Sequence, residues 1–168
     1  MAPMLYAQLA LIGKYSLEEL AQLRQWGSPT TGHPEFEVAR GVENTSGPLG
    51  QGHTFAVGAA IAAKFLAAHT GNPTFAKETI YAYISDGGIQ EEISQGAARI
   101  AAVLGLDNLI MFYDSNDIQL STETGEVMNE DTAAKYRALG WEVLEINGNA
   151  AAEIRMAVEA AKAVTGTP

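Results

Sequence analysis

Cysteine is absent from the 168 residues, which excludes disulfides and thiolate metal sites and fits a cytoplasmic protein. Positive charge is also scarce. Ten Lys and Arg stand against twenty Asp and Glu, for a formal charge of −10 and a pI near 4.6. Nucleic acid and anionic membrane surfaces need clusters of Lys and Arg to neutralise them, so neither is expected as a partner. An anionic ligand would need local help from backbone amides or a metal ion. No apolar run reaches the roughly 20 residues that span a bilayer, and the N-terminus lacks the layout of a signal peptide. What is present is the composition of one folded soluble domain, 47% hydrophobic and 18% charged. The chain opens directly on the helical pattern "APMLYAQLALIG" and stops at "AVTGTP", where an alternating α/β chain would go on to another strand. It reads as part of a larger whole.

Local patterns give a coarse map. "SLEELAQLRQW" opens with Ser16 and Glu19 in capping-box spacing and repeats Leu17, Leu20 and Leu23 on one helical face. Residues 27–52 hold six glycines and three prolines, too long and irregular for an ordinary connection; this predicts a functional loop or a floppy linker. "TFAVGAAIAAKFLAAHTG" is apolar on nearly every face and ends at Gly71, the pattern of a buried helix. Three runs rich in β-branched and aromatic residues predict strands at 79–84, 108–114 and 141–146. Between them lie "EEISQGAARIAAVLGL", with Ile93, Ala97, Ile100 and Leu104 on one face, and "DTAAKYRALG", from a capping Asp131 to Gly140. "AAEIRMAVEAAKAV" is a last helix. This alternation predicts an α/β fold, a mainly parallel sheet with helices on both faces, incomplete as it stands.

In such sheets ligands bind beyond the carboxyl ends of the strands. Asp86 follows the first strand and Asn116 the second, so side-chain oxygens from neighbouring strands can converge. A carboxylate and an amide oxygen are hard ligands suited to Mg²⁺ or Ca²⁺. A magnesium ion held by few side chains keeps positions for phosphate oxygens, and Gly87 and Gly88 let a diphosphate approach the backbone. Taken singly, Asp86-Gly87 and Asn116-Asp117 are also ordinary strand-end turns. Their combination, with 28 residues between Gly87 and Asn116, is more specific. His53 is expected to cap or flank the buried helix and His69 to favour that helix's C-terminal end. Phe112 and Tyr113 are expected to pack in the sheet, and Glu92 has no assignable role.

Four segments carry a resemblance in order and spacing: "GHPEFEVARGVENTSGPLGQGHTFAVGAAIA" (32–62), "SDGGIQEEIS" (85–94), "FYDSNDIQLS" (112–121) and "EDTAAKYRALGWEV" (130–143). They resemble transketolases over essentially the whole chain, treated as a single partial domain over 1–168. The resemblance implies a thiamine diphosphate-binding fold of the diphosphate-binding type. Asp86, Asn116 and the main-chain oxygen of Ile118 would hold the metal, with Gly87 near the diphosphate. Gly47, Pro48 and Leu49 would line the cofactor between its rings. His33 would face substrate hydroxyls, and Glu91 would join a carboxylate network linking paired cofactor sites across a dimer. Two departures stand out: Ser85 replaces the family's usual glycine, and Gly96 replaces its second glutamate, which weakens the expectation of a full carboxylate relay.

The resemblance further implies ketol transfer between sugar phosphates, with an activating glutamate on a pyrimidine-binding domain that these residues lack. The family's Gly-His-Gly segment and an earlier histidine are expected upstream of Met1. The chain is therefore expected to be inactive alone and to work in a homodimer or with a complementary chain. Open alternatives are another thiamine diphosphate enzyme, such as a deoxyxylulose phosphate synthase or a dehydrogenase component, a non-catalytic structural or regulatory domain, and a nucleotide-binding module. The last lacks a glycine-rich loop with Lys-Ser/Thr.

Overall fold

The computed structural model describes residues 2–120 and 122–168; Ser121, at the end of the proposed metal segment, lies outside them. The chain forms two compact units, Met1–Leu49 and Gly50–Pro168.

The first unit holds α1 (Ala2–Leu11), α2 (Leu17–Ala21) and a single 3-10 turn at Val38–Arg40. The predicted capping box is present: the Ser16 hydroxyl accepts from the Glu19 N–H at 3.2 Å, and the Ser16 N–H donates to Glu19 Oε2 at 2.8 Å. Glu19 also pairs with Arg40 at 2.6 Å, and the Arg40 guanidinium lies 3.7 Å from the centre of the Tyr15 ring. Tyr6, Leu9, Tyr15 and Val42 form the core, with Leu20 and Leu23 packed on it. Leu17 is exposed, because α2 ends at Ala21, too short for a three-residue stripe to reach one core. Residues 27–49 are an organised loop. Glu37 and Val42 exchange backbone hydrogen bonds, Ser46 N–H donates to the Pro34 carbonyl at 2.9 Å, and Phe36 N–H donates to Thr45 Oγ1 at 3.0 Å.

The second unit contains α3 (Gln51–Thr70), α4 (Pro73–Ala76), β1 (Ile80–Ser85), α5 (Asp86–Gln90), α6 (Glu92–Val103), β2 (Leu109–Asp114), α7 (Thr132–Leu139) and α8 (Ala151–Ala163), with a 3-10 turn at Thr124–Glu126. It is α/β, and its sheet is parallel: β1 pairs with β2 from Ile80↔Leu109 to Ser85↔Asp114. Gly71 and Gly140 end α3 and α7 with φ of 66° and 101°, and the Asp131 carboxylate caps α7 through the Ala134 N–H at 2.9 Å. Ala82 and Ile84 point into the core. Tyr81 and Tyr83 alternate to a face open to solvent, where Tyr83 stacks on Phe112 at 4.7 Å.

Two expectations are corrected here. Residues 141–146 form no strand; the described sheet has two strands, and 141–147 carry no regular hydrogen-bonding pattern. A strand needs a neighbour as well as a pattern, and a cleft of about 680 Å³ lies against both this segment and β2. The second concerns α6, where of Ile93, Ala97, Ile100 and Leu104, placed on one face by the sequence, only Ala97 is buried. Ser94, Gln95, Ala97, Ala98 and Ala101 are buried, whereas Ile93 and Ile100 are 48% and 51% exposed. The small side chains face in because α3 presents Ala56, Ala60 and Ala63 to the same core, and small residues let helix axes approach.

His53 does not flank α3; it lies within its first turn, only 3% exposed. Its ring sits 6.5 Å from Tyr136 and 6.1 Å from Trp141, and neither nitrogen has a hydrogen-bond partner. Burial without a partner disfavours the imidazolium and pushes its pKa down to about 4 from 6.5. The unfolded chain therefore takes up this proton near pH 6.5 and the folded chain only near 4. The stabilisation is complete above pH 6.5 and is lost as pH falls through that window, by roughly 3 kcal/mol. Urea denaturation from pH 7.5 to 4 should show the decline, and a His53→Leu variant should lack that component. An identical slope in the variant would refute it.

Candidate functional site

The parallel register ends both strands at one edge, so Asp86 and Ser115, which follow Ser85 and Asp114, emerge side by side. Asp86 opens α5 rather than a loop. Two α6 side chains fix this short helix from below: Ser94 Oγ donates to the Gly88 carbonyl at 2.7 Å, and Gln95 Nε2 donates to the Ile89 carbonyl. Gly88 permits close packing, since a Cβ there would stand 2.9 Å from Ile84 Cγ1.

Asp86 is 1% exposed. Its Oδ1 accepts a hydrogen bond from the Tyr113 hydroxyl, while Oδ2 is buried with no partner. A buried carboxylate oxygen without a donor is costly, and a cation satisfies it. Burial, reinforced by the bond to Asp86, raises the Tyr113 pKa and keeps the phenol a donor. Asp86, Tyr113, Ser115 and Asp117 line the cleft, together with Glu130 and Asp131, which makes its wall acidic and suited to a metal-neutralised anion.

Asn116 and Ile118 lie just outside this lining, on an exposed turn. Asn116 Oδ1 accepts from the Ile118 N–H at 3.1 Å, and Asn116 Nδ2 donates to Asp114 Oδ2 at 3.2 Å. Asp117 adopts φ 61°, the left-handed conformation that Asp tolerates better than most residues. Ile118 pairs with Glu123 in an isolated antiparallel bridge whose bonds run Gln119 N–H to the Thr122 carbonyl and Thr124 N–H to the Asp117 carbonyl. The Ile118 carbonyl thus stays out of that ladder. Among the described residues no three His, Asp or Glu gather as a metal cluster, so a cation here would rely on Asp86 with amide and main-chain oxygens, a hard donor set that fits Mg²⁺.

Gly87 is half-buried in α5, and Glu91 is exposed at the junction of α5 and α6. In the first unit, His33 and Gly47 lie together: a Cβ on Gly47 would come within 3.3 Å of His33 Cδ2, and Gly47 has φ 141°, so glycine serves both contact and conformation. The His33 carbonyl accepts from Thr31 Oγ1 at 2.7 Å, leaving an exposed imidazole. Pro48 and Leu49 are exposed beside Gly47.

Sequence reasoning missed Tyr113. As the fifth residue of β2, it reads as sheet packing, and only the register Ile84↔Tyr113 beside Asp86 exposes its role. It also missed Gly50, where φ is 79° and a Cβ would meet Glu91 Cβ, Ile93 Cγ2 and Ser94 Oγ, each at 2.8 Å.

A buried acid and a turn of amide and carbonyl oxygens lie at the carboxyl edge of a parallel sheet, the edge at which α/β domains take their ligands. The comparisons narrow the class. Residues 1–168 match the model of the transketolase thiamine diphosphate-binding domain. The chain is 45% identical to transketolase of Staphylococcus epidermidis over 166 residues, 97% of this chain and 25% of that protein, and 45% identical over 173 residues to transketolase of Mycobacterium tuberculosis, 98% of this chain and 24% of that protein. Among solved structures, transketolase from Leishmania mexicana superposes with a TM-score of 0.84 at 40% identity, covering 96% of this chain and 25% of that one. Pichia stipitis transketolase in complex with sedoheptulose-7-phosphate gives 0.87 at 39% identity, with 98% and 25% covered. The chain belongs to the transketolase family, matching its thiamine diphosphate-binding domain, and spans about a quarter of the length of these relatives. No helix among the described residues is long and apolar enough to cross a membrane.

Proposed function

We infer that the chain is the diphosphate- and metal-holding part, itself a partial domain, of a transketolase that moves a two-carbon ketol unit between ketose and aldose phosphates in the pentose phosphate pathway of the cytoplasm. The observation that carries this reading is the unpartnered Oδ2 of the buried Asp86 at the sheet edge, on the cleft it shares with Ser115 and Asp117. Asp86, the Asn116 amide oxygen and the Ile118 carbonyl are the groups assigned to Mg²⁺, with Ca²⁺ as a substitute. Asn116 would release its bond to the Ile118 N–H to serve. Gly87 would leave room for the diphosphate, and the Tyr113 hydroxyl would hold Asp86 in one rotamer.

When bound, thiamine diphosphate supplies a nucleophilic thiazolium carbon and an electron sink for the ketol unit. The chain's own residues do the positioning. Gly47, Pro48 and Leu49 are assigned to the cofactor between its rings, His33 to the hydroxyls of the sugar phosphate, and Glu91 to a carboxylate contact across a homodimer. Deprotonation of the cofactor would rely on a glutamate at its pyrimidine nitrogen, supplied by a pyrimidine-binding domain, so these residues alone should give no turnover.

Isothermal titration with thiamine diphosphate and Mg²⁺, with and without a chain carrying the pyrimidine-binding domain, tests this. Binding is expected only when metal and partner are both present. Ketol transfer by the 168 residues without any other polypeptide would defeat the reading.

A further inference from the structure

Two hydroxyls tie the backbone of His33 to the core of the first unit. Thr31 Oγ1 donates to the His33 carbonyl at 2.7 Å and also lies 3.2 Å from the Tyr6 hydroxyl. A threonine hydroxyl carries one proton, and here that proton is in the bond to His33. The Tyr6 hydroxyl is therefore the donor to Thr31, and the chain has one direction, from Tyr6 through Thr31 to the His33 carbonyl. Consecutive hydrogen bonds of this kind polarise and strengthen one another.

The inner end of the chain is anchored. Tyr6 lies on α1 and is 2% exposed, its ring edge-on to Tyr15 with 5.2 Å between centroids, in the cluster with Leu9 and Val42. The chain beyond His33 is fixed as well. Pro34 is buried, its carbonyl accepts from the Ser46 N–H at 2.9 Å, and a residue that precedes proline is steered away from helical backbone. The His33 imidazole is exposed, yet the backbone on both sides of it is held. A carbonyl in a surface loop can be satisfied by water; this one engages a buried phenol through a threonine.

We propose that Tyr6 and Thr31 are positioning residues for His33. Their hydroxyl chain fixes the His33 peptide, and with it the point from which the imidazole meets the hydroxyls of a sugar phosphate. The inference rests on the assignment of His33 made under the proposed function. Tyr6 is buried, so its effect passes through His33 rather than through contact with the sugar. A displacement of about 1 Å at a binding group can cost about 100-fold in rate, so two ordinary hydrogen bonds suffice to matter.

The test is a double-mutant cycle in the 168-residue chain combined with the chain carrying the pyrimidine-binding domain, thiamine diphosphate and Mg²⁺. Thr31→Val keeps the shape and removes the hydroxyl. It is expected to lower kcat/KM for sedoheptulose-7-phosphate at least about 10-fold, with Tyr6→Phe lowering it less and Thr31→Ser restoring it. Cofactor affinity by calorimetry should be the same in all three. In a His33→Ala background, Thr31→Val should have no further effect. NMR relaxation of the 168-residue chain needs no turnover: the His33 amide order parameter should fall from about 0.85 to below about 0.6 in Thr31→Val and recover in Thr31→Ser. No ketol transfer by the combined parent chains, or a His33→Ala variant with unchanged kcat/KM, would defeat the reading of His33 and this inference with it. If His33→Ala is damaging, three results overturn the hydroxyl chain alone: a silent Thr31→Val, an equal cost of Thr31→Val in the His33→Ala background, or a His33 amide as rigid without the hydroxyl as with it.

Discussion

Replacing Asp86 with asparagine is expected to lower affinity for thiamine diphosphate and Mg²⁺ by at least about 100-fold, while leaving the unliganded chain as stable as before or more so, by up to about 2 kcal/mol. The two signs share one cause. In the folded chain the carboxylate is almost fully buried, Tyr113 satisfies one oxygen, and the other has no donor. Without a cation the charge is a burden on the fold; under the proposed function it would be a ligand to the metal. Asparagine keeps the shape and an acceptor for the Tyr113 hydroxyl but removes the charge. Thermal melting of the unliganded chain and calorimetry with Mg²⁺ and the complementary domain measure the two effects separately. Unchanged binding would remove Asp86 from the metal site, and a marked loss of stability with lost binding would make its role structural.

Gly50→Ala is expected to destabilise the second unit by about 2–4 kcal/mol, seen as an early thermal transition. Position 50 starts α3 in the left-handed region, and a methyl group there would press on Glu91, Ile93 and Ser94 at 2.8 Å. These are not tips of long side chains that swing aside. Ser94 Oγ is tied to the Gly88 carbonyl, so the strain would pass into α5 and reach Asp86. Gly52→Ala, a helical position with open space around it, is the control and should cost little. Equal melting of both variants would show that the contact at Gly50 is readily relieved.

Signals confined to a few consecutive residues were legible in the sequence. The Ser16 capping box, the Asp131 cap, the glycines ending α3 and α7, and the first two strands follow from local backbone chemistry and lie where the patterns place them. The placement of Asp86 and of the turn at Asn116 after adjacent parallel strands was legible for the same reason, although Asn116 lies outside the cleft lining. What depends on a distant partner was not. Residues 141–146 have the pattern of a strand, but a ladder takes two segments, and the side of β2 they face is a cleft. Hydrophobic periodicity put Ile93, Ala97, Ile100 and Leu104 on one face of α6, of which only Ala97 is buried, because it ranks side chains by size of apolar surface. The structure buries the alanines, a choice set by how near α3 comes. Tyr113 was hidden similarly, since an aromatic in a strand signals packing, and only its register beside Asp86 aims its hydroxyl at that carboxylate.

The alanine seam between α3 and α6 bears on how freely this sequence can drift. Ala60, Ala98 and Ala101 have no exposed surface at all, and added methylenes in such a seam force backbones apart at a cost of about 1–3 kcal/mol each. A spread of the two helices would move Ser94 and Gln95, the side chains that grip α5. The outward isoleucines of α6 can be exchanged without touching that grip, so variation should collect on the large residues of this helix and spare the smallest.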